Sequence, residues 1–359
     1  MSRKLRSVQE FLAPGTVRHP SLPPMEAGLR PNADLESARE VTERGAYEPE
    51  DVVWVTPGVA WFTSGESVFE TSDRGVREIA RLGGPAGSIE RLDGLSVVAV
   101  EGRGLVTVSP SGDVKELSTD KSVRTCVTDM AALTDGTLLV TVGSQQFTPD
   151  EWSRALLAKD ASGLIVKVTD GIALIVATDL AWPAGICQLD DQEILLSVAF
   201  SHAIERRWLS ALDKRERLMR KNLPVYPGRI RKCNEGWWIA APYARNRITE
   251  LIMDEPKLLS EMVEGIDPPL WPVPRLRDTT PYTDVLQMGQ LRMLGVLKPW
   301  APPRSYGLLF LLDAAGRVVR SHHSRVDGRY HGITGMAADG DRLMATGKGC
   351  QTLLEVGGA

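Results

Sequence analysis

Three short segments of this chain put chemically useful residues just where a strand begins. In "WPAG" (Trp182–Gly185) and "YPGR" (Tyr226–Arg229) an aromatic residue leads into a turn, and the second segment adds the guanidinium of Arg229. An arginine so placed favours a carboxylate or phosphate through paired hydrogen bonds. Trp182 and Tyr226 offer an aromatic floor, with the tyrosine hydroxyl as a donor; the rival reading is packing between sheets. In "HGIT" His331 precedes a strand, and imidazole is the side chain best matched to proton transfer near neutral pH. His202 follows the apolar run "EILLSV" and belongs at the same end. Either histidine has a plainer alternative as a hydrogen-bonded structural residue. His322 and His323 adjoin on a strand, where neighbours point to opposite faces, so they do not read as a joint metal site. No GxSxG elbow and no phosphate-binding glycine loop is present; the glycines mark turns.

The elements that position these residues repeat. A strand, a turn with Gly or Asp, and an apolar strand recur in "DVVWVTPGVAWFTSG" from Asp51, "GSIERLDGLSVVAVEG" from Gly87 and "TDMAALTDGTLLVTVG" from Thr128. The pattern returns in "AGICQLDDQEILLSVAF" from Ala184, "GRIRKCNEGWWIAAPY" from Gly228 and "GITGMAADGDRLMATG" from Gly332. Third strands such as "RGLVTVSP", "SGLIVKVTDG" and "YGLLFLLDAAG" follow, each leading through a turn to a fourth. The spacing of about 40 residues is that of a four-stranded propeller blade. The long helices that a doubly wound fold needs between strands are missing. The chain therefore reads as all-β, a six-bladed β-propeller over residues 46–359, preceded by an arm and short helix at 1–45 that Asn32 or Asp34 caps. Trp237 and Trp238 sit in mid-strand and read as core between blades.

Two insertions interrupt the repeat, both between second and third strands. The larger, 243–305, holds "EPKLLSEMVEGI" and "YTDVLQMGQLRMLGVL", each with apolar residues at helical spacing. The smaller is "SQQFTPDEWSRALLAKDAS". That connection shares an end of the ring with the starts of the inner strands, so both insertions overhang "WPAG" as a lid or pocket wall. The alternative is a packing cap over blade edges.

Bulk properties exclude several classes. A net charge of −4 and a pI near 5.9 give no electrostatic reason for a nucleic acid or membrane partner. No apolar run approaches the ~20 residues of a membrane span. The start, "MSRKLRSVQEFLAPG", has no apolar core of a secretory signal. The four cysteines are widely spaced with no CxxC pair, which predicts reduced, mostly buried thiols in a cytoplasmic protein.

The blade motifs "PAGSIERLDGLSVVAVEGRGLVTVSPSGDVKEL", "SGLIVKVTDGIALIVATDLAWPAGICQLDDQEILLSVAFSHAIERRWL", "LPVYPGRIRKCNEGWWIAAP" and "YGLLFLLDAAGRVVRSHHSRVDGRYHGITGMAADGDRLMATG" occur in order. In them the chain resembles the strictosidine synthase-like family, within the superfamily of gluconolactonases, paraoxonases and related six-bladed propellers. In the metal-dependent hydrolases of that superfamily calcium sits at the channel mouth on a first-blade Glu and on Asn or Asp residues opening later inner strands. The resemblance matches that Glu to Glu50. The third-blade Asn-Asp pair becomes Thr128-Asp129, the fourth-blade Asn becomes Ala184, and the fifth-blade Asp becomes Gly228. A methyl group and a hydrogen cannot ligate a hard cation. The proton-shuttling Glu of the synthases matches Thr334. The sequence thus departs from both site types.

These departures predict a metal-independent enzyme of small-molecule, secondary metabolism with no cofactor. The expected reaction is an acid–base assisted cyclisation, condensation or elimination at the propeller mouth. His331, Glu50 and Asp129 are the catalytic candidates. Arg229, Tyr226, Trp182, His202, Thr128 and Thr334 would bind the substrate, with Arg229 suited to an anionic group. The alternative for Arg229 is a salt bridge to Glu50 or Asp129 that fills the vacated metal position. A calcium-dependent lactone or ester hydrolase and a non-catalytic binding propeller are the competing functions.

Overall fold

The structure is a computed structural model that describes residues 25, 28–277, 292–293, 296–297, 305–325, 328–340 and 342–357. Six four-stranded antiparallel sheets follow one another along the chain. Their innermost strands are Pro49–Thr56, Ala86–Leu92, Val127–Ala132, Pro183–Gln188, Ile230–Cys233 and Ile333–Asp339. They begin blades 1 to 6 in that order. The first and last blades meet, because the inner strand of blade 1 packs on that of blade 6. The six-bladed β-propeller expected from the repeat is the fold.

Burial follows the position of each strand in its blade. The second strands Leu95–Val100 and Glu193–Val198 and the third strand Gly307–Leu312 are apolar almost throughout and buried along nearly all of their length. Strands in the middle of a blade are covered on both faces by the blades beside them, which demands continuous apolar runs. The outer strand Gly75–Arg81 (GVREIAR) is largely exposed. The cores accordingly lie between blades. Leu139 and Ile165 of blade 3 pack with Ile186, Ile194 and Leu196 of blade 4. Trp237 and Trp238 point to opposite faces of blade 5, into two different inter-blade cores, as expected from their place in mid-strand.

The segment before residue 46 is more than an arm, which corrects the boundary drawn from the sequence. Strand Arg39–Glu40 pairs with Thr352–Val356 in the register Arg39↔Glu355 and Glu40↔Leu354, so it is the outer strand of blade 6. The expected short helix is a single 3-10 turn, Asp34–Ser37, and the Asn32 side chain accepts from the Asp34 amide at 3.1 Å. Leu35 is fully buried beside Trp238, Ile333 and Leu354, and the Thr42 hydroxyl accepts from the Leu353 amide at 2.9 Å. Amino- and carboxy-terminal residues thereby share one sheet and lock the ring.

Both insertions lie where the sequence put them. The one in blade 3 carries helix α1 (Trp152–Leu157). The one in blade 5 carries α2 (Arg247–Asp254) and α3 (Pro256–Gly265), the latter within the predicted helical stretch "EPKLLSEMVEGI". Of the second stretch, "YTDVLQMGQLRMLGVL", residues 282–291, 294 and 295 lie outside the described residues. Its remainder is not helical: Arg292–Met293 pairs with Val296–Leu297 in a two-strand ribbon. No helix among the described residues is long and apolar enough to cross a membrane.

Two outcomes test the closure. Leu35→Ala should lower unfolding free energy by about 2–5 kcal/mol in denaturant titration, the cost of a cavity in a packed core; an unchanged midpoint would detach the amino-terminal turn from the cooperative unit. His323, whose amide donates to Asn32 Oδ1 at 3.0 Å, is held down to about 4 by burial, from an ordinary 6.5. A depressed histidine leaves stability intact above about 6.5 and drains it as pH falls from there toward 4. His323→Gln should flatten that decline in thermal midpoint.

Candidate functional site

The inner strands deliver side chains to the channel in layers. The first layer holds Glu50, Gly87, Thr128, Ala184, Gly228 and Thr334. The second, one residue further along each strand, holds Asp51, Ser88, Asp129, Gly185, Arg229 and Gly335. Two glycines in the second layer make room. A Cβ at Gly185 would lie 2.2 Å from the Gly228 carbonyl, and one at Gly335 would lie 2.4 Å from Asp51 Oδ1.

From this layer Arg229 projects across the channel. Its Nη1 donates to the carbonyls of Glu50 (2.9 Å) and Thr334 (2.8 Å), and its Nη2 donates to Glu50 Oε1 (2.9 Å). Nε faces Asp51 Oδ2 at 3.3 Å and Asp129 Oδ1 at 4.0 Å. Beneath it Arg231 bridges Asp51 (3.0 Å) and Asp129 (2.9 Å). The two aspartates are fully buried and also accept from the amides of Ile89 (3.1 Å) and Ile186 (2.9 Å). The Ser88 hydroxyl donates to Asp51 Oδ2 at 3.0 Å. Burial lifts the Asp129 carboxyl above its ordinary range, against the pull of Arg231.

Glu50 is clasped from above as well, since Lys348 Nζ lies 2.9 Å from Oε2 and 3.7 Å from Asp150. Burial opposes the Glu50 charge, yet Lys348 and Arg229 outweigh it and hold the carboxyl down at about 2. Glu50 is thus a carboxylate at neutral pH with little affinity for a proton.

A cavity of 250 Å³ opens above this layer. Its floor is Glu50, Ala184 and Arg229, and its walls include Val100, Trp152, Trp182, Tyr226 and Tyr243. The two insertions meet over it. Trp152 of α1 stacks on Tyr243 with centroids 3.8 Å apart, and Leu157 packs with Ile252, Met262 and Trp271 of the blade 5 insertion. Charged groups line the rim: Glu101, Arg124, Asp150 and Lys348. Burial and the nearby Asp150 raise the Glu101 carboxyl above its ordinary value.

The candidates named from the sequence are divided by this geometry. Glu50, Thr128, Trp182, Tyr226, Arg229 and Thr334 line the cavity. Two of them are committed elsewhere: the Thr128 hydroxyl donates to the Pro183 carbonyl at 2.6 Å and that of Thr334 to the Glu50 carbonyl at 2.8 Å. The donors of Arg229 go to the channel, which favours the salt-bridge alternative over the grip on an anion. Asp129 lies below the cavity floor.

The catalytic reading of His331 is not what its surroundings offer. It stands apart from the cavity, with Nδ1 on Ser305 Oγ at 2.8 Å and Nε2 on the Arg325 carbonyl at 2.7 Å. His202 does not line the cavity either; it lies behind Tyr226, on the Val225 carbonyl (3.2 Å) and beside Glu250 of α2 (3.4 Å). Asp51, Arg231, Glu101 and Lys348 escaped the sequence reading. Arg231 was reachable from the period of two along the strand that already held Arg229, and Asp51 as the blade 1 residue at the position that Asp129 holds in blade 3. Lys348 comes from a turn in blade 6 with no signal of its own.

A calcium ion of the kind expected at this mouth does not suit these residues. Calcium takes six or more oxygens, and both Glu50 oxygens already face cations. Restoring an acid at Gly228 meets a steric bar, since a Cβ there would sit 2.9 Å from Pro242 Cδ. Among the described residues no group of three His, Cys, Asp or Glu could hold a metal.

No family model matches the chain. It is 27% identical over 241 residues to Protein strictosidine synthase-like 7 of Arabidopsis thaliana, a match covering 63% of this chain and 64% of that protein. It is 28% identical over 196 residues to Protein strictosidine synthase-like 6 of the same plant, covering 52% of each. The match thus spans less than two thirds of either relative. Among solved structures, a gluconolactonase from Xanthomonas campestris aligns with a TM-score of 0.57 at 14% identity, over 95% of this chain and 99% of that one. A calcium-binding regucalcin from Agrobacterium tumefaciens aligns with 0.56 at 14% identity, over 90% and 94%. At that identity the structures speak for the fold.

Arg229→Met should cost about 3–5 kcal/mol in chemical denaturation, because it strands buried carboxylates without a partner. A loss below about 1 kcal/mol would mean that water reaches the channel and screens them.

Proposed function

We propose that this chain, a relative of the strictosidine synthase-like proteins folded as a six-bladed β-propeller, acts without a metal on a small molecule held at the propeller mouth. The observation that carries this is the pair of cations, Arg229 and Lys348, on the two oxygens of Glu50. They occupy the seat that calcium would need and supply its charge.

The cavity is somewhat smaller than the ~300 Å³ at which drug-sized sites begin, so the ligand is compact. Its aromatic wall of Trp152, Trp182 and Tyr243 suits an apolar or aromatic body. The reaction class is proton-assisted: a cyclisation, condensation or elimination of secondary metabolism in the cytoplasm. Of the cavity's carboxyls, Glu50 is pinned as an anion, whereas Glu101 is raised and partly exposed. Glu101 is therefore the proton-transfer group of this reading, and Lys348 and Glu50 set the field around the reacting atoms. A second reading, a binding propeller without turnover, draws support from His331 and Asp129 lying away from the cavity.

Tryptophan fluorescence tests the proposal, since two tryptophans line the wall. Small aromatic compounds should quench it saturably, with the same affinity in calcium and in a chelator, and calorimetry should give no calcium heat at millimolar concentration. Calcium binding, or quenching lost on chelation, would overturn metal independence. For a ligand that is converted, Glu101→Gln should lower turnover by roughly 10²–10⁴-fold with little change in quenching. Quenching with no product from any ligand would favour the binder.

A further inference from the structure

The inner strands continue past the arginine layer. Two residues on, the period of a strand gives Glu90, Ala131, Cys187 and Arg231 as the next layer in blades 2 to 5. Glu90, Ala131, Cys187 and Arg231 line a second cavity, of 320 Å³, at the end of the channel remote from the mouth. Ile186, Leu189 and Ile230 give it an apolar wall, while Asp190, Asp191 and Lys232 stand at its opening. The buried ion network separates it from the mouth cavity.

The charges around it do not cancel. Within the channel Arg229 and Arg231 answer Asp51 and Asp129, and Lys348 answers Glu50. Glu90 is left over. It makes no ion pair among the described residues, and its own neighbour's amide, Arg91 N, donates to it at 2.8 Å. At the cavity wall Glu90, Asp190 and Asp191 outnumber Arg231 and Lys232.

We infer that this lower cavity binds a monovalent cationic group, a primary ammonium on a short alkyl body, with Glu90 as its counter-charge and Cys187 in its wall. The apolar wall suits the alkyl part. Glu90 is the one spare carboxylate inside the channel, and among the described residues no group of three His, Cys, Asp or Glu could hold a metal ion, which suits one positive charge rather than the oxygen cage that a divalent ion requires. Burial, with Asp129 and Asp51 adding to it, raises Glu90 to about 7 against the pull of Arg231. A carboxyl that ionises so reluctantly alone is one that a bound cation stabilises. Affinity for the cation therefore rises as pH climbs through about 7. The charged groups facing Glu90 are Asp51 and Asp129 from the neighbouring inner strands and Arg231 from across the channel, with Asp190, Asp191 and Lys232 beyond; Cys187, pushed up to about 12 by burial, stays a thiol.

Cys187 reports on the cavity directly. The full-length protein is treated with 2-aminoethyl, 2-sulfonatoethyl and methyl methanethiosulfonate, which are cationic, anionic and neutral, and modification of Cys187 is read by peptide mass spectrometry. The cationic-to-anionic rate ratio at pH 8 should exceed that for glutathione by on the order of tenfold. It should shrink at pH 6 and fall to the glutathione value in Glu90→Gln; the ratio cancels the change in thiolate fraction that follows from removing the Glu90 charge beside Cys187. A ratio no higher than that of glutathione, a ratio indifferent to Glu90→Gln, or no labelling by the neutral reagent would each overturn the inference. Should that variant fail to fold, the pH arm in the native protein decides. Fluorescence at the mouth is read separately, so either site can fail alone.

Discussion

Two guanidinium groups shared among two buried aspartates and the partly buried Glu50 hold the centre of this molecule together. A propeller directs its innermost strands at a common axis, and whatever projects there lies far from water. Charges in such a place are tolerable only when each is paired and hydrogen-bonded. Arg229 and Arg231 meet that condition by spanning the channel: the first reaches blades 1 and 6, and the second bridges blades 1 and 3. The arrangement ties four blades together through fixed charge. It depends on Gly185 and Gly335, which leave the Gly228–Arg229 backbone and Asp51 the room they occupy.

That network also divides the channel. Above it is a compact aromatic cavity roofed by two insertions that pack on each other; below it is a cavity whose spare carboxylate within the channel is Glu90. Electrostatics therefore differ at the two ends although the strands are the same. Glu50, between two cations, is held far below the ordinary carboxylate range, while Glu90, two layers down with cations already engaged, is held above it. Opposite shifts in like groups mark how strongly the arginines partition the channel.

Much of the fold was legible from the sequence because blade strands are short, periodic and bounded by turn residues. "GLLFLL", "LSVVAV" and "EILLSV" declare burial on both faces. The closing strand Arg39–Glu40 was not legible: two charged residues carry no strand signal and are held by pairing with the far end of the chain. The stretch "YTDVLQMGQLRMLGVL" has helical spacing, yet its Arg292–Met293 and Val296–Leu297 form a ribbon, an instance of short apolar runs reading equally well as strand or helix. At the site, Arg229 was found by its place at a strand start and Glu50 through the family resemblance. Lys348 and Glu101 were not, since each comes from a turn whose position over the mouth is set by ring geometry.

The sequence by itself determined the number of blades and the places of both insertions, because each is a matter of residue type at a recurring position; set beside the family it resembles, it has no side-chain oxygen donors at Ala184 and Gly228. It could not decide what replaced those donors. Whether Arg229 grips a ligand or a neighbour depends on distances between strands 179 residues apart. Whether His331 transfers protons depends on Ser305 and the Arg325 carbonyl having already taken both its nitrogens. Such pairings arise only when distant segments are brought within a few ångströms, and hydrogen bonds and ion pairs act at no longer range.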